Sequence, residues 1–208
     1  PGAHGFGFVR RVPKESEKNF ISSFTQEWDT EYEINQISEH DDDKWIIERL
    51  EPLEGNEKAI GLDIASESSR YEAIRMAIET NMPALTPPIT LQQAKDKPNM
   101  GFLLVMPIRS SKKPFDIIGL TYLPLLIDEV LSGYVVSSGE FIVRLSDISR
   151  NKDAKYFYTN ESADDKVADD LYQVMDVNVY GRQWRVELNA TELFIKRLGL
   201  ASPISSGV

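Results

Sequence analysis

The sequence predicts an α+β protein built from two units. Apolar runs of strand length recur along the whole chain. Amphipathic patterns of helix length occupy 12–28 and 67–81. The order helix, strands, helix, strands, then strands again breaks near Leu123 to Gly133. With 208 residues, 41% of them hydrophobic and 27% charged, the chain is long enough for one large or two small folded domains and too apolar for disorder.

"VPKESEKNFISSFTQEW" reads as the first helix. Phe20, Phe24 and Trp28 recur at i, i+4, i+8 with Ile21 beside them, and Pro13 stands where a missing N–H is tolerated. "EHDDDKW" is a polar loop, and "KWIIERLEP" a strand ended by Pro52 and the turn-like "LEGNEK". "KAIGLDIA" reads as the next strand. "ESSRYEAIRMAIETN" follows as a helix with Ser66 as its N-cap, an apolar stripe of Tyr71, Ile74, Ala77 and Ile78, and Pro83 as its stop. "ALTPPITLQQAKDKPN" is loop-rich. "GFLLVMPIR" and "FDIIGLTYL" are near-continuous apolar strands joined by "SSKKP", and so read as central ones. "PLLIDEVLSG" reads as a short helix closed by Gly133. Four strand-like runs follow: "EFIVRLSDI", "KYFYTN", "LYQVMDVNV" and "RQWRVELNA". The last two are joined at "YG", a hairpin signal, and "SPISSGV" is a loose tail.

One residue contradicts its surroundings. Alternation in "KAIGLDIA" puts Ile60, Leu62 and Ile64 on one face and Gly61, Asp63 and Ala65 on the other. The second face holds a carboxylate between two minimal side chains, which leaves a hollow with one acceptor in it. Removing a carboxylate from water costs several kcal/mol unless partners replace the water. Asp63 could pair with an arginine such as Arg70, help to cap the following helix, or face water. The small flanks favour a fourth reading, in which the partner comes from outside the protein. A small, partly flat ligand with N–H or O–H groups suits an ionised carboxylate. Its apolar walls would come from Phe102, Leu104, Val105, Met106 and Tyr122. Leu104 and Met106 share a face with Phe102, and Val105 takes the other.

The bulk numbers exclude other classes. A net charge of −10 repels phosphate backbones, so no nucleic-acid partner is expected. With no cysteine there is no thiolate catalysis, no Cys zinc site and no disulfide, a composition that suits an oxidising compartment. No apolar run is long enough to span a bilayer, no signal peptide is legible, and the opening "PGAHGFGFVRR" reads as a segment of something longer. "GFGFVR" lacks the third glycine of a dinucleotide site. "DISRNKDAKYFY" has Lys152 where a calcium loop needs glycine and reads as a polar turn, and Asp41 to Asp43 read as a solvated acidic run. His4 and His40 are the only histidines, and neither makes a convincing base. No catalytic residue, metal site or cofactor is therefore expected.

"GLDIASESSRYEAIRMAIETNMPALTPPITL", "GFLLVMPIR" and "IIGLTYLPLLIDEVL" together resemble the CHASE domain, an extracellular sensory domain attached to cyclases and histidine kinases. That family carries a Gly-Leu-Asp-hydrophobic-Ala-Ser strand-to-helix turn, a helix, an "LT" with prolines, and a Gly-Phe strand ending in Pro. "FVRRVPKESEKNFI" and "WIIERLEPLEGNEKAIGLD" resemble its N-terminal part, and "VYGRQWRVELNAT" its Gly-Arg-x-Trp strand. The resemblance implies two stacked PAS-like units, each a mostly antiparallel sheet with flanking helices: a membrane-distal ligand-binding unit, 1–125, and a membrane-proximal unit, 126–208. It implies a periplasmic location, membrane attachment through flanking transmembrane helices, a homodimer in the full-length protein, and a cytoplasmic diguanylate cyclase or histidine kinase as output. In plant cytokinin receptors of the family, the Asp of this motif bonds the adenine ring and the Leu of "LT" adds main-chain contacts. Those positions are Asp63 and Leu85. Val105 stands where the plant receptors have Thr, a departure, and Gly119 matches a family glycine that passes close to the ligand. The expected ligand-binding residues are thus Asp63, Leu85, Val105, Gly61, Gly119, Tyr122 and Phe102. The alternative left open is a spacer that binds no small molecule and docks a periplasmic protein.

Overall fold

A computed structural model describes residues 2–3, 5–28, 33–91, 100–113, 115–132 and 139–199. His4, Gly133 and the tail 202–208 lie outside the described residues. The chain divides into two compact units, Ala3–Leu126 and Ile127–Val208 with Pro1–Gly2. Each is PAS-like, a mostly antiparallel sheet with flanking helices.

In the first unit the elements are β1 (Phe6–Val12), α1 (Glu17–Trp28), β2 (Asn35–Gln36), β3 (Lys44–Glu51), β4 (Leu62–Asp63), α2 (Ser68–Thr80), β5 (Ala84–Leu85), β6 (Ile89–Thr90), β7 (Met100–Arg109) and β8 (Ile117–Leu126). The sheet order is β2-β4-β3-β1-β8-β7-β5, with β6 pairing to β7. Its pairs are antiparallel except β2 with β4. α2 lies against β7 and β5. Its Ala73, Ile74 and Ala77 pack on Val9, Ile47, Leu103, Val105, Leu120 and Tyr122 in one core. Each large side chain so buried contributes about 1.5–3 kcal/mol.

The sequence reading did not foresee β1, and the reason is its two arginines. Arg10 sits in the middle of the sheet because it forms a two-pronged pair with Glu48 of the neighbouring β3, Nη2 to Oε1 at 2.9 Å. "KAIGLDIA" is not one strand. Glu57–Ala59 is a 3-10 turn, β4 has two residues, and Ile64–Ser66 is a second 3-10 turn. Pro124, Leu125 and Leu126 continue β8 opposite Leu103, Phe102 and Gly101, so the short helix after them starts at Ile127.

The second unit contains α3 (Ile127–Ser132), β9 (Phe141–Asp147), β10 (Tyr156–Thr159), β11 (Val167–Val179), β12 (Arg182–Thr191) and α4 (Glu192–Arg197), with an antiparallel sheet in the order β10-β9-β12-β11. Tyr180 and Gly181 both have positive φ, 45° and 84°, which suits the tight turn of the β11–β12 hairpin. Across that hairpin Arg185 bonds Asp176 at 2.9 Å and holds its carboxyl below the usual range. The calcium-like stretch is a polar turn. Asp147 is bound by Arg182, and the Asn151 side chain accepts the Asp153 N–H. α4, which closes on Phe141 through Phe194 with ring centroids 4.6 Å apart, had no counterpart in the sequence reading.

Candidate functional site

The site begins with the turn before β4. Gly61 has φ 85°, a left-handed backbone that side chains resist. Its N–H donates to Ile47 O and its carbonyl accepts from Asn35 N, both at 2.9 Å. This delivers Asp63 to the interior, where it has no solvent exposure.

The expected lone acceptor in a hollow is not what the fold presents. Oδ1 of Asp63 accepts the backbone N–H groups of Trp45 (2.9 Å) and Ala65 (3.1 Å). Oδ2 faces His40 Nε2 at 2.6 Å and accepts from Gln36 Nε2 at 3.3 Å. The carboxylate caps the 3-10 turn at Ile64–Ser66 and is not paired with Arg70. Ser66 is not the cap of α2 either: its hydroxyl donates to Asp63 O at 2.5 Å and accepts the Ile37 N–H at 2.9 Å. Glu67 caps α2 instead, taking the N–H groups of Ser69 (3.0 Å) and Arg70 (3.1 Å). The segment carrying Gln36 and His40 is thereby pinned to the turn at several points, and the Lys44 ammonium adds a bond to the His40 carbonyl.

The other expected residues do not all share one face of the sheet. Val105 pairs with Tyr122, and both are buried on the α2 face. Ala84, opposite Val105, shares that face, so the neighbouring Leu85, opposite Leu104, points the other way, as does Phe102. Gly119 serves packing: a Cβ there would stand 2.3 Å from Val9 O and 2.6 Å from the Phe8 ring. Gly61 serves the turn.

A cleft of about 500 Å³ lies beside the same helix. Tyr71, Arg75 and Ile78 of α2 form one side, facing Trp45, Arg11, Ile117 and the acidic run from Asp41 to Asp43. Arg11 is bound to Asp43 at 2.8 Å and Arg75 to Glu79 at 3.2 Å. The sequence reading missed Trp45, Arg11 and Arg75 as a group. The available signal was the i, i+4, i+7 spacing of Tyr71, Arg75 and Ile78, a stripe distinct from the buried Arg70, Ala73, Ile74 and Ala77. Among the described residues no cluster of three or more His, Asp or Glu is placed to hold a metal ion, and no helix is long and apolar enough to cross a membrane.

Residues 1–158 match the model of the CHASE domain family. No curated protein matches the sequence. Among solved structures, an extracellular ligand-binding receptor from Desulfohalobium retbaense superposes with a TM-score of 0.53 at 13% identity, over 91% of this chain and 30% of its own. The periplasmic sensory domain of the Campylobacter jejuni chemoreceptor Tlp1 superposes with a TM-score of 0.51 at 14% identity, over 92% of this chain and 74% of its own. At such identities the likeness is one of fold.

Proposed function

The chain belongs to the CHASE domain family, and on that premise we propose that it is the periplasmic ligand-binding sensor domain of a membrane-bound signalling protein. The ligand is a small molecule taken up by the unit Ala3–Leu126. The unit Ile127–Val208 passes the change to flanking membrane helices and a cytoplasmic output module, a diguanylate cyclase or a histidine kinase. The domain itself carries out no chemistry.

The division of labour on Asp63 carries this reading. Oδ1 is held by two backbone N–H groups, whereas Oδ2 is held only by the side chains of Gln36 and His40, from one surface segment. Ligand N–H or O–H donors can take the place of those two side chains without disturbing the backbone bonds. Val105 and Tyr122 then line the α2 face. Gly61, Leu85, Phe102 and Gly119 act through backbone shape and packing. Release of His40 loosens the segment over Asp63, and this is the differential interaction by which a ligand shifts the equilibrium between two states.

The test is a set of thermal melts against adenine-like, amino-acid and carboxylic-acid compounds, where a ligand raises the midpoint by mass action. Asp63→Asn is expected to weaken binding by about tenfold or more. His40→Ala, which removes a competing donor, is expected to strengthen it. A bound compound whose affinity both variants leave unchanged places the site elsewhere.

A further inference from the structure

Arg70 is a buried cation whose needs the fold does not meet. It is 5% exposed and lies on the α2 face that packs into the core with Ala73, Ile74 and Ala77. Its Nε is buried and makes no hydrogen bond. The carboxylate it pairs with is Glu67, at 3.7 Å, too far for a hydrogen bond, and both Glu67 oxygens are already committed to the backbone N–H groups that cap α2. Asp63 is filled by four other donors.

Position adds a further penalty. Arg70 is in the first turn of α2, where the helix dipole disfavours a positive charge. Helical side chains lean toward the N-terminus, so the guanidinium reaches back toward Glu67 and away from the helix end that would welcome it. The same protein shows how it satisfies a buried arginine when it means to. Arg182 is 3% exposed and grips Asp147 through Nε at 2.8 Å and Nη2 at 2.7 Å.

We propose that Arg70 receives an oxyanion, a carboxylate or phosphate group of the sensed ligand, under the first turn of α2. This inference rests on the sensor reading and narrows it. Guanidinium binds such groups through two parallel N–H···O bonds, strongly where water is excluded. The ligand therefore presents an N–H or O–H donor to Asp63 and an anionic group to Arg70.

The experiment uses the full chain, with melts in sodium acetate, sodium succinate or sodium phosphate against sodium chloride at matched ionic strength. A saturable rise in midpoint is expected with at least one oxyanion, and the anion series separates carboxylate from phosphate. Arg70→Gln is expected to abolish the rise or move it to about tenfold higher concentration, with Arg70→Lys retaining part of it. Without any anion, Arg70→Met is expected to melt no lower than the wild type, because it removes an uncompensated buried charge at similar volume. A fall of more than about 4 °C would mean that the Glu67 pair is the purpose of the residue, and would overturn the proposal. If neutral adenine-like compounds bind wild type and Arg70→Gln alike while no oxyanion binds, the proposal fails and the sensor reading stands. If neither class binds, both fail.

Discussion

Asp63 stands out in the sequence because a charge interrupts an apolar stretch, and the structure explains the charge by its four donors. Those donors were not legible beforehand. Gln36 and His40 lie 27 and 23 residues away, in a segment without periodicity, and the other two are backbone N–H groups, which every residue possesses. Removing the carboxylate leaves the Trp45 and Ala65 N–H groups buried without acceptors, at about 1–3 kcal/mol each. Asp63→Ala is thus expected to lose about 3–5 kcal/mol of stability, read from the denaturant midpoint. Asp63→Asn keeps an oxygen for those two groups and is expected to lose less than half as much. Equal losses would mean that the backbone bonds to Oδ1 contribute little.

Among the elements, strands with long apolar runs were legible: β3, β7, β8, β9 and β12 fall where hydrophobic residues concentrate. β1 was not, because Arg10 and Arg11 mask a central strand whose charges are answered by Glu48 and Asp43. The stretch around Asp63 misled in the opposite direction. Its alternation mimics a strand, but a left-handed Gly61 and two 3-10 turns leave β4 two residues long. At Gly119 the neighbouring β1 leaves no room for a side chain. Gly119→Ala would set a methyl carbon 2.3 Å from Val9 O, a backbone atom that cannot yield without moving the strand. A loss of about 1–3 kcal/mol is expected, as in other overpacked cores. It should come with faster hydrogen exchange at Val9 and Leu120, a paired position in the β1–β8 ladder. A variant as stable as the parent would show that the two strands separate easily.

For the whole molecule, the order of elements made two units legible, while which face of a strand meets α2 was not. Phe102 and Val105 fall on opposite faces by their spacing alone, but which of the two faces α2 covers is set only by the packing of the fold. Each unit has its own sheet and buried residues, so a core truncation is expected to act locally. Leu103→Ala should cost about 2–5 kcal/mol and abolish slow amide exchange in β7 and β8, while leaving that of β9 and β12 in place. Loss of protection in both sheets together would show that they unfold as one. The placement of β1 has a consequence for biogenesis. Gly7 of β1 pairs with Tyr122 of β8, far downstream in the chain, so the middle of this sheet stays open until synthesis has passed the β7–β8 hairpin. Until then the unfinished half-sheet offers a bare strand flank to other chains.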